Sequence, residues 1–152
     1  MRALLPATEG DATLTQAGLA AAGATEYRRF RMTFGVAEGT EIGADRTLAL
    51  EAGFDALNGV SFTKGCYVGQ EVTARMHSRK LVKKRIVPVT IDGPSPAPGT
   101  IVMQDGTDAG EIRAAADGVG LALLRLESLA RHPGQVLTTA DGATIAPIPV
   151  DR

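Results

Sequence analysis

Residues 61–85, SFTKGCYVGQEVTARMHSRKLVKKR, concentrate side chains that could do chemistry. Cys66 is the single cysteine of the 152-residue chain, with Gly65 before it, Gly69 three positions after it, and Gln70 and Glu71 next. If a helix starts at Tyr67 or Val68, the sulfur lies at its N-terminus. Free backbone N–H groups and the helix dipole favour a thiolate there, and Lys64 would push the same way. The competing reading is a small, buried residue filling space behind a turn, and local physics favours it. The histidines are His77 and His132. His77 is too far along the helix to reach Cys66, and His132 could approach only through tertiary packing. A Cys–His nucleophile pair therefore finds little support.

The glycines do not form a Walker loop, because Lys64 precedes the first of them and Gln-Glu follows the last. Gly65 fits a positive φ or a close backbone approach, and Gly69 could let a ligand or another chain segment pack against the opening turn. Gln70 and Glu71 could read a heterocycle with an amide-and-amine edge. Equally, Glu71 suits a helix start and pairs at i, i+4 with Arg75. Arg75, Arg79, Lys80, Lys83, Lys84 and Arg85 follow with no Asp or Glu between Val72 and Ile91. Such a run could contact phosphate, polyglutamate or RNA. A solvated helix end and a lysine-guarded edge strand explain it as well.

Composition narrows the classes. A single cysteine excludes an intramolecular disulfide and a cluster held by one chain, which needs about four thiolates. The hydrophobic fraction of 44% allows a core, but aromatics are 4% and Trp is absent, so Leu, Val, Ile and Ala must fill it. The net charge of −1 gives no reason to invoke nucleic acid or membrane. No apolar run approaches the roughly 20 residues of a membrane span, and the N-terminus lacks a signal-peptide pattern. The reading is a soluble cytoplasmic protein.

The elements that must position these residues fall into two parts. DATLTQAGLAAAG predicts a short helix ending at Gly23. Thr25 is a candidate N-cap for EYRRFRMTFGV, with Glu26 in the first turn. Tyr27, Phe30 and Phe34 share one face of that helix, and Gly35 is its stop. Residues 36–47 read as a loop. Asn58-Gly59 signals a turn, VSF a short strand, and Tyr67 to about Arg79 a helix. From residue 82 the pattern changes to six strand-like runs: RIVPVTID, TIVMQ, AGEIRAA, VGLALLRL, QVLTT and TIAPIPV. ESLARHPG supplies one helical turn among them. Together they predict a small antiparallel barrel or sandwich, with Pro88 marking an edge or bulge. The division is 1–81, an irregular α+β region that looks like half of something, and 82–152, a β module.

NGVSFTKGCYVGQEVTAR resembles the signature of the YgfZ-type folate-binding proteins, whose pattern is K-G-C-[YF]-x-G-Q-E. These are relatives of the aminomethyltransferase (T-protein) of the glycine cleavage system, and their mitochondrial counterparts assist iron–sulfur cluster assembly. Lys64, Gly65, Cys66, Tyr67, Gly69, Gln70 and Glu71 fill every fixed position. YRRFRMTFGV and LALEAGFDALNGVSF resemble the segments leading to that signature, and the β module resembles the family's C-terminal barrel. The resemblance runs from about Tyr27 to the end.

The resemblance implies an α+β chain: part of the aminomethyltransferase-like folate-binding fold followed by a small antiparallel β-barrel. It implies a further N-terminal portion that closes a ring of domains around the folate, so that the tetrahydrofolate site is incomplete in this chain and folate binding is weak. It makes Cys66 the functional thiol and Lys64, Gly65, Tyr67, Gly69, Gln70, Glu71 and Arg75 the cofactor-binding set, with Arg75 holding Glu71. Its implied role is a folate-binding accessory to iron–sulfur cluster assembly or repair, and through cluster-dependent enzymes to tRNA modification. Iron–sulfur proteins or assembly factors would be its partners. The alternative is a folate-dependent aminomethyl or one-carbon transferase. Aminomethyltransferases tend to carry Arg where LALEAG has Ala49, which argues against that alternative. Direct RNA binding through the basic run is a third reading, opposed by the low charge and few aromatics.

Overall fold

The computed structural model describes residues 6, 8–43, 46–131 and 136–149. Six strands follow the predicted runs: β1 (Lys84–Asp92), β2 (Ile101–Gln104), β3 (Thr107–Ala116), β4 (Val119–Arg125), β5 (Leu137–Thr139) and β6 (Thr144–Pro147). All pair antiparallel, and they close into a barrel in the order β1-β4-β3-β2-β5-β6. The barrel, not the sandwich, is the outcome. Two Asp-Gly dipeptides set its tight hairpins. Asp105-Gly106 joins β2 to β3 and Asp117-Gly118 joins β3 to β4, with φ of 48° and 76° in the first and 46° and 75° in the second. Positive φ at both central residues gives the turn whose twist matches the flanking strands.

Pro88 lies inside β1, opposite Leu121 of β4, in a barrel without a free edge. Its carbonyl accepts from Ile148 N at 2.9 Å, on the β6 side, where the β1–β6 ladder begins only at Val89. The nitrogen faces the same side as the carbonyl, so the missing N–H falls at the end of a ladder and breaks no pair. The expectation of an edge or bulge there is corrected accordingly.

The alternation of the strands makes two cores. Val89, Ile91, Val102, Ile112, Ala122, Leu124, Leu137 and Ile145 form one cluster. Ile86, Ala114, Val119, Leu121 and Leu123 form the other, together with Met32, Ala37 and Ala52 from the preceding region. β4 is therefore buried on both faces, which is why VGLALLR reads as a continuous apolar run. A bulge at Arg113 moves β3 from one cluster to the other, since Ile112 pairs with Ala122 but Ala114 with Leu121.

Helix α1 (Gly10–Gln16) is short, buries nothing, and ends well before Gly23. Gly18, at φ 74°, takes the left-handed position after it. α2 (Ala24–Thr33) has Gly23, not Thr25, as its N-cap; Gly23 N–H donates to the Glu26 carboxylate at 2.7 Å. Gly35 ends it as expected, with φ 67° and its N–H on Met32 O at 2.9 Å. The aromatic face is on the other side from the packing: Tyr27, Phe30 and Phe34 are exposed, and α2 docks through Met32 and Arg31. A 3-10 turn (Gly39–Glu41) interrupts the loop after it. Helix α3 (Gln70–Ser78) starts three residues later than expected, and α4 (Leu126–Arg131) is the predicted helical turn. His132 and the chain end beyond Pro149 lie outside the described residues.

Candidate functional site

The approach to the signature is a chain of local turns. Ala52 N–H donates to Leu48 O, Phe54 N–H to Ala49 O, Leu57 N–H to Gly53 O and Gly59 N–H to Phe54 O, at 2.6–3.1 Å. Asn58 holds φ 56°, in keeping with the Asn58-Gly59 turn signal, and Gly53, which that signal did not include, holds φ 78°. The predicted VSF strand does not form. Residues 60–62 have no neighbouring strand to pair with, and Phe62 instead stacks on His77 of α3, ring centroids 4.0 Å apart.

The signature loop then runs through bends and a turn into α3. Gly65 and Gly69 have φ of 95° and 84°, conformations that favour glycine. Gly69 is the N-cap of α3, so Cys66 lies four positions ahead of the first helical residue. That is outside the reach of the dipole, which fades within the first turn. Cys66 is a free thiol exposed to solvent, which corrects the reading of a buried space-filler. Lys64 Nζ stands 4.8 Å from the centre of the Tyr67 ring, a cation–π arrangement. Gln70 Oε1 accepts from Tyr67 N–H at 3.3 Å, tying the loop to the helix start. Glu71 and Arg75 form an exposed ion pair at 2.6 Å.

A cavity of about 290 Å³ opens beneath the loop, lined by Ala49, Phe54, Gly59, Val60, Ser61, Lys64, Tyr67, Val68, Gly69 and Thr73. Lys64, Tyr67 and Gly69 of the signature are in this wall; Gly65, Cys66, Gln70, Glu71 and Arg75 are not. Phe54, Val60, Ser61 and Thr73 join from positions that carried no chemical signal in the sequence. The Tyr67 hydroxyl is buried without a hydrogen-bond partner among the described residues. A buried hydroxyl ordinarily has one. The chemistry on offer is a slot of mixed polar and apolar wall with an ammonium, two hydroxyl side chains and a phenol unpaired among the described residues, next to an exposed thiol. That suits part of a flat, polar-edged ring. No group of three or more His, Cys, Asp or Glu comes together as a metal site among the described residues. Nor is any helix among them long and apolar enough to cross a membrane.

A second polar centre is structural. Arg31 grips Glu41 with two guanidinium nitrogens, at 2.5 and 2.8 Å, and also reaches Val36 O at 2.5 Å. Burial pushes the Glu41 carboxyl up, but the Arg31 hydrogen bonds, the Glu38 amide and the charges of Arg31 and Arg28 outweigh it and leave it below the usual carboxylate range. The Glu41 hydrogen bond holds the Arg31 guanidinium above its ordinary value against desolvation. Nothing in the helix pattern singled out Arg31, because its partner lies ten residues away in a loop.

A closed six-stranded barrel preceded by a glycine-framed thiol loop is the class of molecule defined here. Residues 83–151 match the CAF17, C-terminal beta-barrel domain. Over two thirds to four fifths of its length the chain is similar to the mitochondrial iron-sulfur cluster assembly factor IBA57. Identity to the Mus musculus protein is 45% over 111 residues, covering 68% of this chain and 31% of the relative. To the Homo sapiens protein it is 39% over 127 residues, covering 80% and 35%. To the Aspergillus clavatus homologue it is 37% over 146 residues, covering 80% and 32%. The closed barrel is thus similar to the CAF17 C-terminal domain, and the chain spans about a third of the length of the curated relatives it matches.

Proposed function

We propose that this chain is part of a folate-binding accessory factor for iron–sulfur cluster assembly or repair, acting through it on tRNA modification. The observation that carries the reading is the exposed Cys66, presented beside a cavity by a loop framed with two left-handed glycines. Similarity to proteins named iron-sulfur cluster assembly factors supports the cluster role. The partners are then iron–sulfur proteins or their assembly factors. The relatives are named as mitochondrial; a cytoplasmic setting is the reading for this chain.

Tetrahydrofolate is the proposed cofactor. Ligand pockets typically span about 300–1,000 Å³, so a cavity near 290 Å³ takes a ring system rather than a whole folate. Phe54, Val60 and Tyr67 would face the ring, and the Tyr67 hydroxyl would gain its partner. Bound folate supplies one-carbon chemistry; the chain's residues orient the ring and keep water from its faces. The transferase alternative is opposed by Ala49, which lines the cavity and leaves it without a guanidinium at that position.

Cys66→Ser tests the role. It should fold with unchanged thermal midpoint yet fail to restore cluster-dependent enzyme activity in cells lacking the gene product. Full restoration would sink the reading. Tyr67→Phe tests the cavity by titration calorimetry with tetrahydrofolate. Loss of one neutral hydrogen bond, about 1 kcal/mol, should weaken binding about fivefold, and an unchanged affinity would move the ligand elsewhere.

A further inference from the structure

We propose that Asp55 and Arg85 are positioning residues that hold the cavity wall against the barrel. The inference rests on the reading of the signature loop and its cavity as the functional site. Ala49, Phe54, Gly59 and Val60 of that wall come from residues 48–60, whose hydrogen bonds are mostly internal to the turns. Helix α3, which carries the other side, has no buried residue. The wall therefore takes its position from wherever it is tied to something rigid.

Two ties meet it at consecutive residues of β1. Ile86 N–H donates to Glu51 O at 2.7 Å. Arg85 donates from its guanidinium to Asp55 Oδ2 at 2.9 Å. β1 is rigid at this point, since Arg85 and Ile86 pair with Leu124 and Leu123 of β4. The Arg85 and Asp55 side chains are only 23% and 20% exposed, so water screens their attraction less than that of a surface pair. Asp55 Oδ1 is buried with no partner among the described residues. Without Arg85 the carboxylate would be left uncompensated in place, and the turn would have to move to hydrate it.

Position matters because Asp55 is flanked by the wall. It follows Phe54, whose ring lines the cavity and whose carbonyl accepts the Gly59 N–H at 2.6 Å. Its own carbonyl accepts the Asn58 N–H at 3.3 Å. A shift of Asp55 is therefore passed to Phe54 and Gly59, and from Gly59 along the chain to the signature. Ala52 in the outer core and Glu51 on Ile86 hold the near end of this segment, and the ion pair holds its far end, keeping closed the turns whose own hydrogen bonds would otherwise open.

Amide hydrogen exchange on the full chain tests this. Asp55→Ala and Arg85→Ala should each speed exchange of the Phe54, Leu57 and Gly59 amides by about tenfold or more, with the Ile91 and Ile112 amides of the barrel changed less than about twofold. The double variant should be no faster than either single one, because one interaction is being removed twice. Asp55→Asn, which keeps an acceptor for Arg85, should fall between. No acceleration, effects that simply add, or barrel amides speeding up as much as the turn would each overturn the proposal. Exchange reads the anchoring, while complementation by Cys66→Ser reads the site, so the two claims fail separately.

Discussion

The barrel and the segment before it are built on different terms. In the barrel every strand has two neighbours, the interior is aliphatic, and two-residue turns enforce the pairing. In residues 8–81 the helices are short, the aromatic face of α2 and residues such as Val68 and Val72 are exposed, and α3 buries nothing. Much of the segment's order is borrowed from the barrel, through Met32, Ala37 and Ala52 in the outer core and Glu51 and Asp55 on β1, and the Arg31–Glu41 clamp within the segment closes α2 onto its following loop. A barrel satisfies its own backbone and so can serve as a platform. A loop that must present a thiol next to a cavity cannot also bury itself, and relies on anchors.

The largest effect should come from the wall shared by both regions. Leu121→Ala empties a fully buried site in the outer core and should cost about 4 kcal/mol. Urea unfolding should show barrel and segment lost together; a segment that melts while the barrel stays intact would break the picture of a single platform. Glu41→Gln should come next. Breaking a buried ion pair costs about 3 kcal/mol or more, so the urea midpoint should fall by somewhat less than in Leu121→Ala, again with barrel and segment lost together; an unchanged midpoint would remove the clamp from the account.

The same clamp gives a pH test. The Glu41 carboxyl is depressed in the folded state, so its contribution is fully present above the ordinary value of 4.5 and is lost as pH falls through the lower folded-state value. Urea midpoints should therefore decline on acidification below that range, and the decline should be smaller in Glu41→Gln. Identical pH profiles would remove Glu41 from the account. The smallest effect is expected from Glu71→Gln. An exposed i, i+4 pair is worth at most about 0.5 kcal/mol, so unfolding midpoints should barely move. A larger loss would mean that α3 is anchored more firmly than its exposure implies.

Much of the barrel was legible beforehand. Strand-like runs, most of them separated by Gly, Asp or Asn turn residues, located all six strands, because those signals are local and the sheet obeys them. The continuous run in β4 was readable as a strand, but not as one buried on both faces, since its second face is covered by Met32 far away in sequence. The signature loop was legible by its residue types, and Gly65 adopts the left-handed backbone read for it; Gly69, read only as a site of close packing, adopts it too. Its cavity was not, because Ala49, Phe54, Val60 and Thr73 are unremarkable residues that become a wall only when turns bring them together.

The amino-acid order alone therefore determined the strands, the hairpin turns, the helix stop at Gly35 and the loop that carries Cys66. Each of these follows from backbone preferences and short-range hydrogen bonds. Tertiary structure alone decided which face of α2 is buried, that Arg31 is a clamp rather than a surface charge, that Cys66 is exposed, and that Arg85 of a basic run is tied to Asp55. Those outcomes depend on partners distant in sequence and on burial, which sets whether a charge is screened by water or must be answered by another.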